Sequence, residues 1–231
     1  MRFTHSPAIR AQYPELAAGV LFAEGFHDQA DVTAQVRHFN AIAQARLAGV
    51  PSESELPEIQ AWRRVFSRMG LKPTQYRCAS ESLLRRFRKE GALPPLHPLV
   101  DLCNAVSLAF AIPIAVFDLA YVAQSLEVRH AQGDETYLTF GGETEHPEPG
   151  EVVFADAQGR AHARRWTNRQ SGLSAVRAGT ASVLIVAEAM HATAADDVRS
   201  LIETLARVLP EAWPVQPRTG FPGAGGPHVE A

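Results

Sequence analysis

The first segment of the sequence that could support chemistry lies on a predicted helix. Asp101, Asn104 and Ser107 recur at every third position, so they share one helix face. The helix is expected over residues 98–110, and a short buried strand is expected soon afterwards, over residues 114–117. A polar stripe of this kind either faces solvent or lines a site beside the strand, and the spacing leaves both interpretations open.

A second polar segment surrounds a predicted turn at Gly133 and Asp134. Arg129 ends the predicted strand before this turn, and Glu135 follows the turn. An ion pair between the two side chains is the simpler interpretation, because opposite charges meet across tight turns. The alternative is that Arg129 binds part of a substrate.

A third segment, residues 164–171, combines arginines with an aromatic residue in the run RRWTNRQS. Arginine pairs with phosphate in a bidentate manner, and Trp166 offers a platform on which a base could stack. Arg164 is expected to lie on a solvated edge strand. The turn that follows does not need Trp166, Asn168 or Arg169 for folding, so these three residues are predicted to be functional.

Positive charges cluster on a helix predicted over residues 80–90. Counting one arginine just before the helix, the cluster consists of Arg77, Arg85, Arg86, Arg88 and Lys89. Such a cluster is usually a solvated face. Contact with an RNA backbone is the alternative, and the formal net charge of -3 makes this local concentration more noticeable.

The signatures of several common enzyme classes are absent from the sequence. It contains no GxSxG, no Walker loop, no HExxH and no dinucleotide-binding fingerprint. The nine histidines are scattered, with no pair at metal-ligand spacing, and Cys78 and Cys103 form no CxxC motif. We therefore expect neither a metal nor another cofactor.

The composition is that of an ordinary globular protein in a reducing compartment. Of the 231 residues, 46% are hydrophobic and 20% are charged, which allows a sizeable core. The N-terminus has no basic region followed by an apolar run, and the longest apolar stretch is shorter than the ~20 residues of a membrane span. The acidic balance argues against a general nucleic-acid coat protein. We expect a cytoplasmic location and no membrane or DNA partner.

The predicted elements run in the order helices, strands, helix, which is typical of an α+β protein. The segment 182–189 predicts a strand that is buried on both faces, and residues 194–209 predict the last amphipathic helix. We predict a single α+β domain over residues 1–209. The Pro/Gly-rich tail, residues 210–231, is predicted to be disordered at its end.

Several segments occur in an order that resembles a known family. They are residues 76–85, residues 98–107, Pro113 with Phe117 and Asp118, residues 150–156, and residues 165–171 with Thr180. Over about residues 76–188 the chain is similar to the B3/B4 domain of the phenylalanyl-tRNA synthetase beta subunit, in a free-standing form. The resemblance implies a mixed α/β fold with a β-sandwich-like core. In the synthetase this domain is the editing site, which hydrolyses tyrosine wrongly attached to the phenylalanine tRNA.

The similarity to the family's site is partial. The polar and structural positions that match are Asp101, Asn104, Pro113, Phe117, Asp118 and Thr180. Cys103, Ala115 and Arg169 stand where the family pattern has Thr, His and Glu. The pocket therefore has either a different specificity or no hydrolytic activity.

The resemblance implies an aminoacyl-tRNA deacylase that acts in trans, with aminoacylated tRNA as its partner. The ester is already activated, so positioning a water and stabilising the oxyanion would suffice without a side-chain nucleophile. The expected catalytic residues are Asn104, Arg169 and Thr180; the expected substrate-binding residues are Asp101, Asp118, Arg129, Trp166 and Asn168; the expected RNA contacts are Arg77, Arg85, Arg86, Arg88 and Lys89. The alternative, favoured by the lost His and Glu positions, is a non-catalytic module that binds tRNA or a free amino acid.

Overall fold

A computed structural model of the chain describes residues 1–223 and 228–230. In this part of the chain the α-helices are α1 (Pro7–Gln12), α2 (Thr33–Ala48), α3 (Pro57–Arg68), α4 (Ala79–Glu90), α5 (Pro98–Phe110) and α6 (Ala194–Val208). The strands are β1 (Arg2–His5), β2 (Ala17–Glu24), β3 (Ile114–Asp118), β4 (Ser125–His130), β5 (Tyr137–Leu138), β6 (Thr144–Glu145), β7 (Val152–Asp156), β8 (Ala161–Arg164), β9 (Arg169–Gln170), β10 (Ser182–Ala189), β11 (Arg218–Gly220) and β12 (His228–Glu230). Among the described residues, no helix has both the length and the apolarity of a membrane span.

A four-stranded antiparallel sheet in the order β11-β2-β10-β3 forms the centre of the fold. Side chains alternate across β10, so Leu184 and Val186 join one core while Val183 and Ile185 join another. Helices α5 and α6 pack against the second of these faces. The predicted burial of this strand on both faces is confirmed.

A six-stranded sheet in the order β12-β1-β4-β7-β8-β9 packs over the other face of the central sheet. Aromatic rings join the two layers: Phe117 of β3 lies against Phe154 of β7, with ring centroids 5.4 Å apart. Only β1 and β4 pair in parallel in this sheet, as far as the structure describes it. The predicted α+β class and the sandwich-like core are both confirmed.

The first 31 residues, for which the sequence predicted no elements, supply β1, α1 and the central strand β2. Gly19 of β2 shows how closely this strand meets α6. A Cβ atom there would lie 2.6 Å from Ile202 Cγ1 and 2.9 Å from Val198 Cγ1. The glycine therefore allows the helix to cover the sheet.

The tail from Pro210 onwards is more ordered than its composition predicts. Trp213 packs against Phe26, with ring centroids 5.3 Å apart, and its indole N–H donates to His27 O. Further on, β11 pairs with the free edge of β2, because an edge strand leaves backbone donors and acceptors available. The predicted disorder at the end of the tail falls partly on residues 224–227 and 231, which lie outside the described residues.

Candidate functional site

A cavity of about 530 Å³ lies between the start of α5, strand β3 and the loop over residues 175–178. It is called the main cavity below. Two large hydrophobic side chains in its lining, Leu96 and Phe140, are 71% and 74% exposed. Its polar lining residues are Asp28, His97, Asn104, Gln170 and Arg177. An apolar surface with a few polar groups is typical of a small-molecule site.

A second, small cavity of about 60 Å³ lies beside the main cavity. The two share Ile114 and Gln170, which therefore form the wall between them. The Gln170 side-chain amide donates to Val116 O at 2.7 Å and fixes this wall to β3. The polar lining residues of the small cavity are Thr167, Asn168, Arg169, Gln170 and Glu188.

Helix α5 presents one stripe of side chains to the main cavity. His97, Val100, Cys103 and Asn104 all line it, as expected for positions that are three, four and seven residues apart. Asp101 is displaced from this stripe and lines a separate groove, where its Oδ1 accepts a hydrogen bond from Leu96 N. The predicted polar face therefore contributes Asn104 to the main cavity but not Asp101.

His97 is the N-cap of α5 and was not singled out by its sequence position. Its Nδ1 accepts a hydrogen bond from Leu99 N at 3.2 Å, so the proton of the neutral ring lies on Nε2. Burial lowers the pKa of His97, in spite of the nearby charges of Asp28 and Asp101, which favours this neutral form. The buried Nε2 has no hydrogen-bond partner among the described residues. The main cavity is therefore lined by a residue with an unused N–H donor.

Trp166 does not provide the exposed stacking platform that the sequence predicted. Its side chain is fully buried, between Tyr13 and Trp62, and the indole N–H donates to Glu188 Oε2 at 2.9 Å. The backbone explains the error, because Arg165 and Trp166 both have positive φ values, of 47° and 58°. This turn ends β8 at Arg164 and directs the indole into the core.

Arg169 and Asn168 both line the small cavity. The Arg169 guanidinium is 42% exposed and lies 3.0 Å from Glu145 Oε2. The Asn168 amide donates to Arg77 O at 2.7 Å, which ties the turn to the segment before α4. Of the predicted catalytic residues, Asn104 and Arg169 thus lie in neighbouring cavities.

Thr180 and Asp118 pair with each other in the interior. The Thr180 hydroxyl donates to Asp118 Oδ2 at 2.7 Å, and both residues are buried. Thr180 Oγ1 also accepts from Arg177 N, and Asp118 Oδ1 caps a short 3-10 helix by accepting from Ala120 N. Neither residue lines the two cavities. These contacts give both residues a structural role, and their catalytic and substrate-binding roles stay predictions.

Two arginines of the six-stranded sheet also have structural partners. The Arg129 guanidinium pairs with the buried Glu135, which is the ion pair that the sequence offered as the simpler interpretation. Arg164 was expected on a solvated edge but is only 5% exposed. Its guanidinium donates to both carboxylate oxygens of Glu151 and to Glu145. The prediction of a solvated Arg164 was wrong because β8 is covered by these acidic side chains.

Comparison with known proteins identifies the family to which this chain belongs. The sequence profile of the B3/4 domain matches residues 61–206, well over half of the chain. The chain belongs to the B3/4 domain family. The phenylalanine–tRNA ligase beta subunit of Bradyrhizobium diazoefficiens is 39% identical over 79 residues, which cover 34% of this chain and 10% of that protein. The Haemophilus influenzae beta subunit is 26% identical over 122 residues, or 53% and 15% of the two chains. This B3/4 protein thus matches only a small part of the length of these curated relatives.

The fold of this B3/4 protein is also found among solved structures. An N-terminal fragment of the phenylalanyl-tRNA synthetase beta subunit from Pyrococcus horikoshii superimposes with a TM-score of 0.50 at 11% sequence identity. The alignment covers 94% of this chain and 50% of the fragment. At this level of identity the likeness concerns the fold alone, and it supports the predicted architecture.

The basic helix α4 of this B3/4 protein is only partly free to contact RNA. Arg88 donates to the carbonyls of Leu47, Val50 and Pro51 and so caps the end of α2. Arg77 lies 3.5 Å from Glu81, and its Nε is buried. These two arginines hold neighbouring segments together, and their contact with RNA stays a prediction. The exposed charges that remain are Arg85, Arg86 and Lys89, of which Arg85 lies 3.7 Å from Glu53 and Arg86 lies 2.9 Å from Glu90.

Glu188 is a buried acid in the wall of the small cavity that the sequence reasoning passed over. Because the Arg10 guanidinium only donates, His5 Nδ1 must accept from it, and His5 Nε2–H then donates to Glu188 Oε1. The Trp166 indole N–H occupies Oε2. A single acid within the apolar run SVLIVAEA was the available signal, since a buried carboxylate needs partners.

Proposed function

We propose that this B3/4 protein hydrolyses the ester bond of aminoacylated tRNA in trans, as a deacylase of mischarged tRNA in the cytoplasm. The observation that supports it most is the main cavity, whose lining residues other than Asp28 all lie in the segment that matches the B3/4 family. Its volume of about 530 Å³ suits a small-molecule-sized group such as the aminoacylated end of a tRNA. Asn104 and the unused N–H of His97 supply hydrogen-bond donors from one helix face.

The chemistry requires little more than positioning and charge stabilisation. A water oxygen attacks the carbonyl carbon and gives up a proton, and the bond from that carbon to the ribose oxygen breaks. The ribose oxygen takes up a proton and becomes a hydroxyl as the amino acid leaves. Negative charge develops on the carbonyl oxygen, and the neutral His97 and the Asn104 amide are the donors that we assign to it. No side-chain nucleophile takes part.

Recognition of the RNA end is assigned to exposed residues around the cavity. Phe140 takes over the stacking role that Trp166 cannot perform, because its ring is 74% exposed and lines the main cavity. Arg169 lies exposed beside the small cavity and is assigned to the terminal ribose-phosphate.

A non-catalytic module that binds tRNA or a free amino acid is the second candidate. Each oxygen of Glu188 already accepts one hydrogen bond, from His5 and from Trp166, which lowers the basicity of this carboxylate of the small cavity. This observation favours binding without hydrolysis.

Single-turnover hydrolysis of a panel of mischarged tRNAs separates the two candidates. We expect the wild type to release at least one amino acid, and Asn104→Ala to slow that release about tenfold or more, since a donor used in the transition state is removed. Arg169→Ala should weaken tRNA binding more than it slows hydrolysis. Solvent screens the charge of the exposed guanidinium and so limits its effect on the transition state. Wild-type protein that binds tRNA but hydrolyses no ester of the panel would establish the binding module instead.

The salt dependence of tRNA binding tests the RNA-binding role of α4. Replacing Arg85, Arg86 and Lys89 by Ala should lower the magnitude of the salt slope by about one for each phosphate that the variant no longer binds. Arg88→Ala is the contrasting variant: it should lower the melting temperature by removing the cap of α2 and leave the slope unchanged. An unchanged slope in the triple variant would make this face of α4 a solvated surface only.

A further inference from the structure

Three metal-ligating side chains from distant parts of the sequence meet outside the two cavities. Glu58 lies in the first turn of α3, His191 follows β10, and Asp197 lies in the first turn of α6. One ligand-type atom from each of them lies within 4.8 Å of the other two. None of the three lines the main or the small cavity.

Two buried polar atoms of this cluster have no hydrogen-bond partner among the described residues. They are Glu58 Oε2 and His191 Nδ1. The two side chains are only 10% and 4% exposed. Buried polar atoms in native proteins are nearly always hydrogen-bonded, and leaving a charged carboxylate oxygen unpaired is costly. The carboxylate oxygen Glu58 Oε2 therefore lacks a partner among the described residues, and a cation would supply one.

The other oxygens of the two carboxylates are already held by donors. Arg46 Nη2 donates to Glu58 Oε1 at 2.6 Å, which leaves Oε2 available. The Thr193 hydroxyl donates to Asp197 Oδ2 at 2.6 Å. His191 Nε2 lies 2.8 Å from the same oxygen, so Nε2 is the ring nitrogen that faces the cluster. Donors that hold one oxygen of a carboxylate while the other faces a metal are typical of the surroundings of a metal ligand. When the His191 imidazole is neutral, the two carboxylates outnumber the single guanidinium, that of Arg46. The cluster then has a net negative charge.

We propose that Glu58, His191 and Asp197 bind one divalent transition-metal ion of the Zn²⁺ class, with water completing its coordination. One imidazole and two carboxylates form a ligand set that suits Zn²⁺ and its first-row neighbours better than a hard ion with oxygen ligands alone. The ion joins the start of α3, the end of β10 and the start of α6, so its role is to stabilise the fold. The ligands lie at positions 58, 191 and 197, which is why no motif spacing revealed the site.

Metal titration of untagged full-length protein, first stripped with a chelator, tests the site. We expect one Zn²⁺ or Co²⁺ per chain by calorimetry, a raised melting temperature on Zn²⁺ addition, and a Co²⁺ absorption spectrum that Zn²⁺ abolishes by competition. Asp197→Asn should weaken the affinity at least tenfold. Asp196→Asn is the matched control, because it makes the same charge change on the exposed neighbouring residue of α6 and should bind as the wild type does.

Several results would overturn the proposal. Wild-type protein that shows no saturable binding would mean that the cluster is a proton-linked ion pair between His191 and the carboxylates. Equal affinity in wild type and Asp197→Asn would place the ion elsewhere. If Asp197→Asn does not fold, Glu58→Gln makes the same test from α3, and the wild-type Co²⁺ spectrum must still show a single bound ion. None of these outcomes bears on the proposed hydrolysis.

Discussion

Replacing His97 by Asn should slow deacylation about 100-fold or more while the protein remains nearly as stable as the wild type. The two ring nitrogens of His97 differ in the structure: Nδ1 caps α5 by accepting from Leu99 N, and the buried Nε2 has no hydrogen-bond partner among the described residues. The second nitrogen is the one to which we assign the oxyanion. Asn is among the best N-cap residues, so its side-chain oxygen should preserve the cap. The shorter amide cannot place a donor where the imidazole Nε2 lies. A donor that serves the oxyanion contributes about 3–4 kcal/mol to the transition state, which sets the expected loss of rate.

The measurement is the single-turnover rate constant with a mischarged tRNA that the wild type hydrolyses, together with the midpoint of thermal unfolding. His97→Ala is the companion variant: it should lose the rate and also about 1 kcal/mol of stability, since the cap is removed as well. A rate in His97→Asn within a factor of three of the wild type would leave His97 as a cap only. This test rests on the proposed function and applies once the wild type is shown to hydrolyse an ester.

The elements that position this donor were predictable because their signals are local. Helix α5 begins and ends where the sequence predicted, at Pro98 and Phe110, since proline favours the first helical turn and the chain adopts the left-handed conformation at Ala111. Likewise Gly91 ends α4 with a φ of 78°, as a glycine C-cap should. The apolar run of β10 identified a strand buried on both faces. In each case a few neighbouring residues determine the outcome.

The site itself was only partly predictable, because its contacts connect residues far apart in the sequence. Asn104 was placed correctly by helix periodicity, whereas the role of His97 depends on what surrounds its second ring nitrogen. Trp166 was misassigned because nothing local indicates two successive positive φ values in non-glycine residues. Thr180 and Asp118 are 62 residues apart, and only the folded sheet shows that they satisfy each other.

Arg164, which was expected on a solvated edge strand, forms a buried ion pair instead. Its guanidinium forms a bidentate pair with Glu151, whose side chain is 9% exposed, and Glu151 Oε1 also accepts from Arg165 N. Burial alone would raise the pKa of Glu151, but hydrogen bonds and charge from Arg164 outweigh it and hold this pKa below its usual value. The ion pair thus stabilises the turn at Arg165 and Trp166, whose positive φ values direct the Trp166 side chain into the core.

Arg164→Ala should therefore lower the free energy of unfolding by about 3–5 kcal/mol, because it leaves the carboxylate of Glu151 buried without its partner. Arg169→Ala is the matched control: it removes a guanidinium that pairs with the same Glu145, yet its side chain is 42% exposed, so the loss should stay below about 1 kcal/mol. Urea unfolding at neutral pH measures both variants. The difference should shrink as the pH falls through the lowered pKa of Glu151, since stability that depends on an ionised carboxylate is present above its unfolded pKa and disappears on protonation. Equal, small losses in both variants at neutral pH would show that Arg164 contributes no more than a surface ion pair.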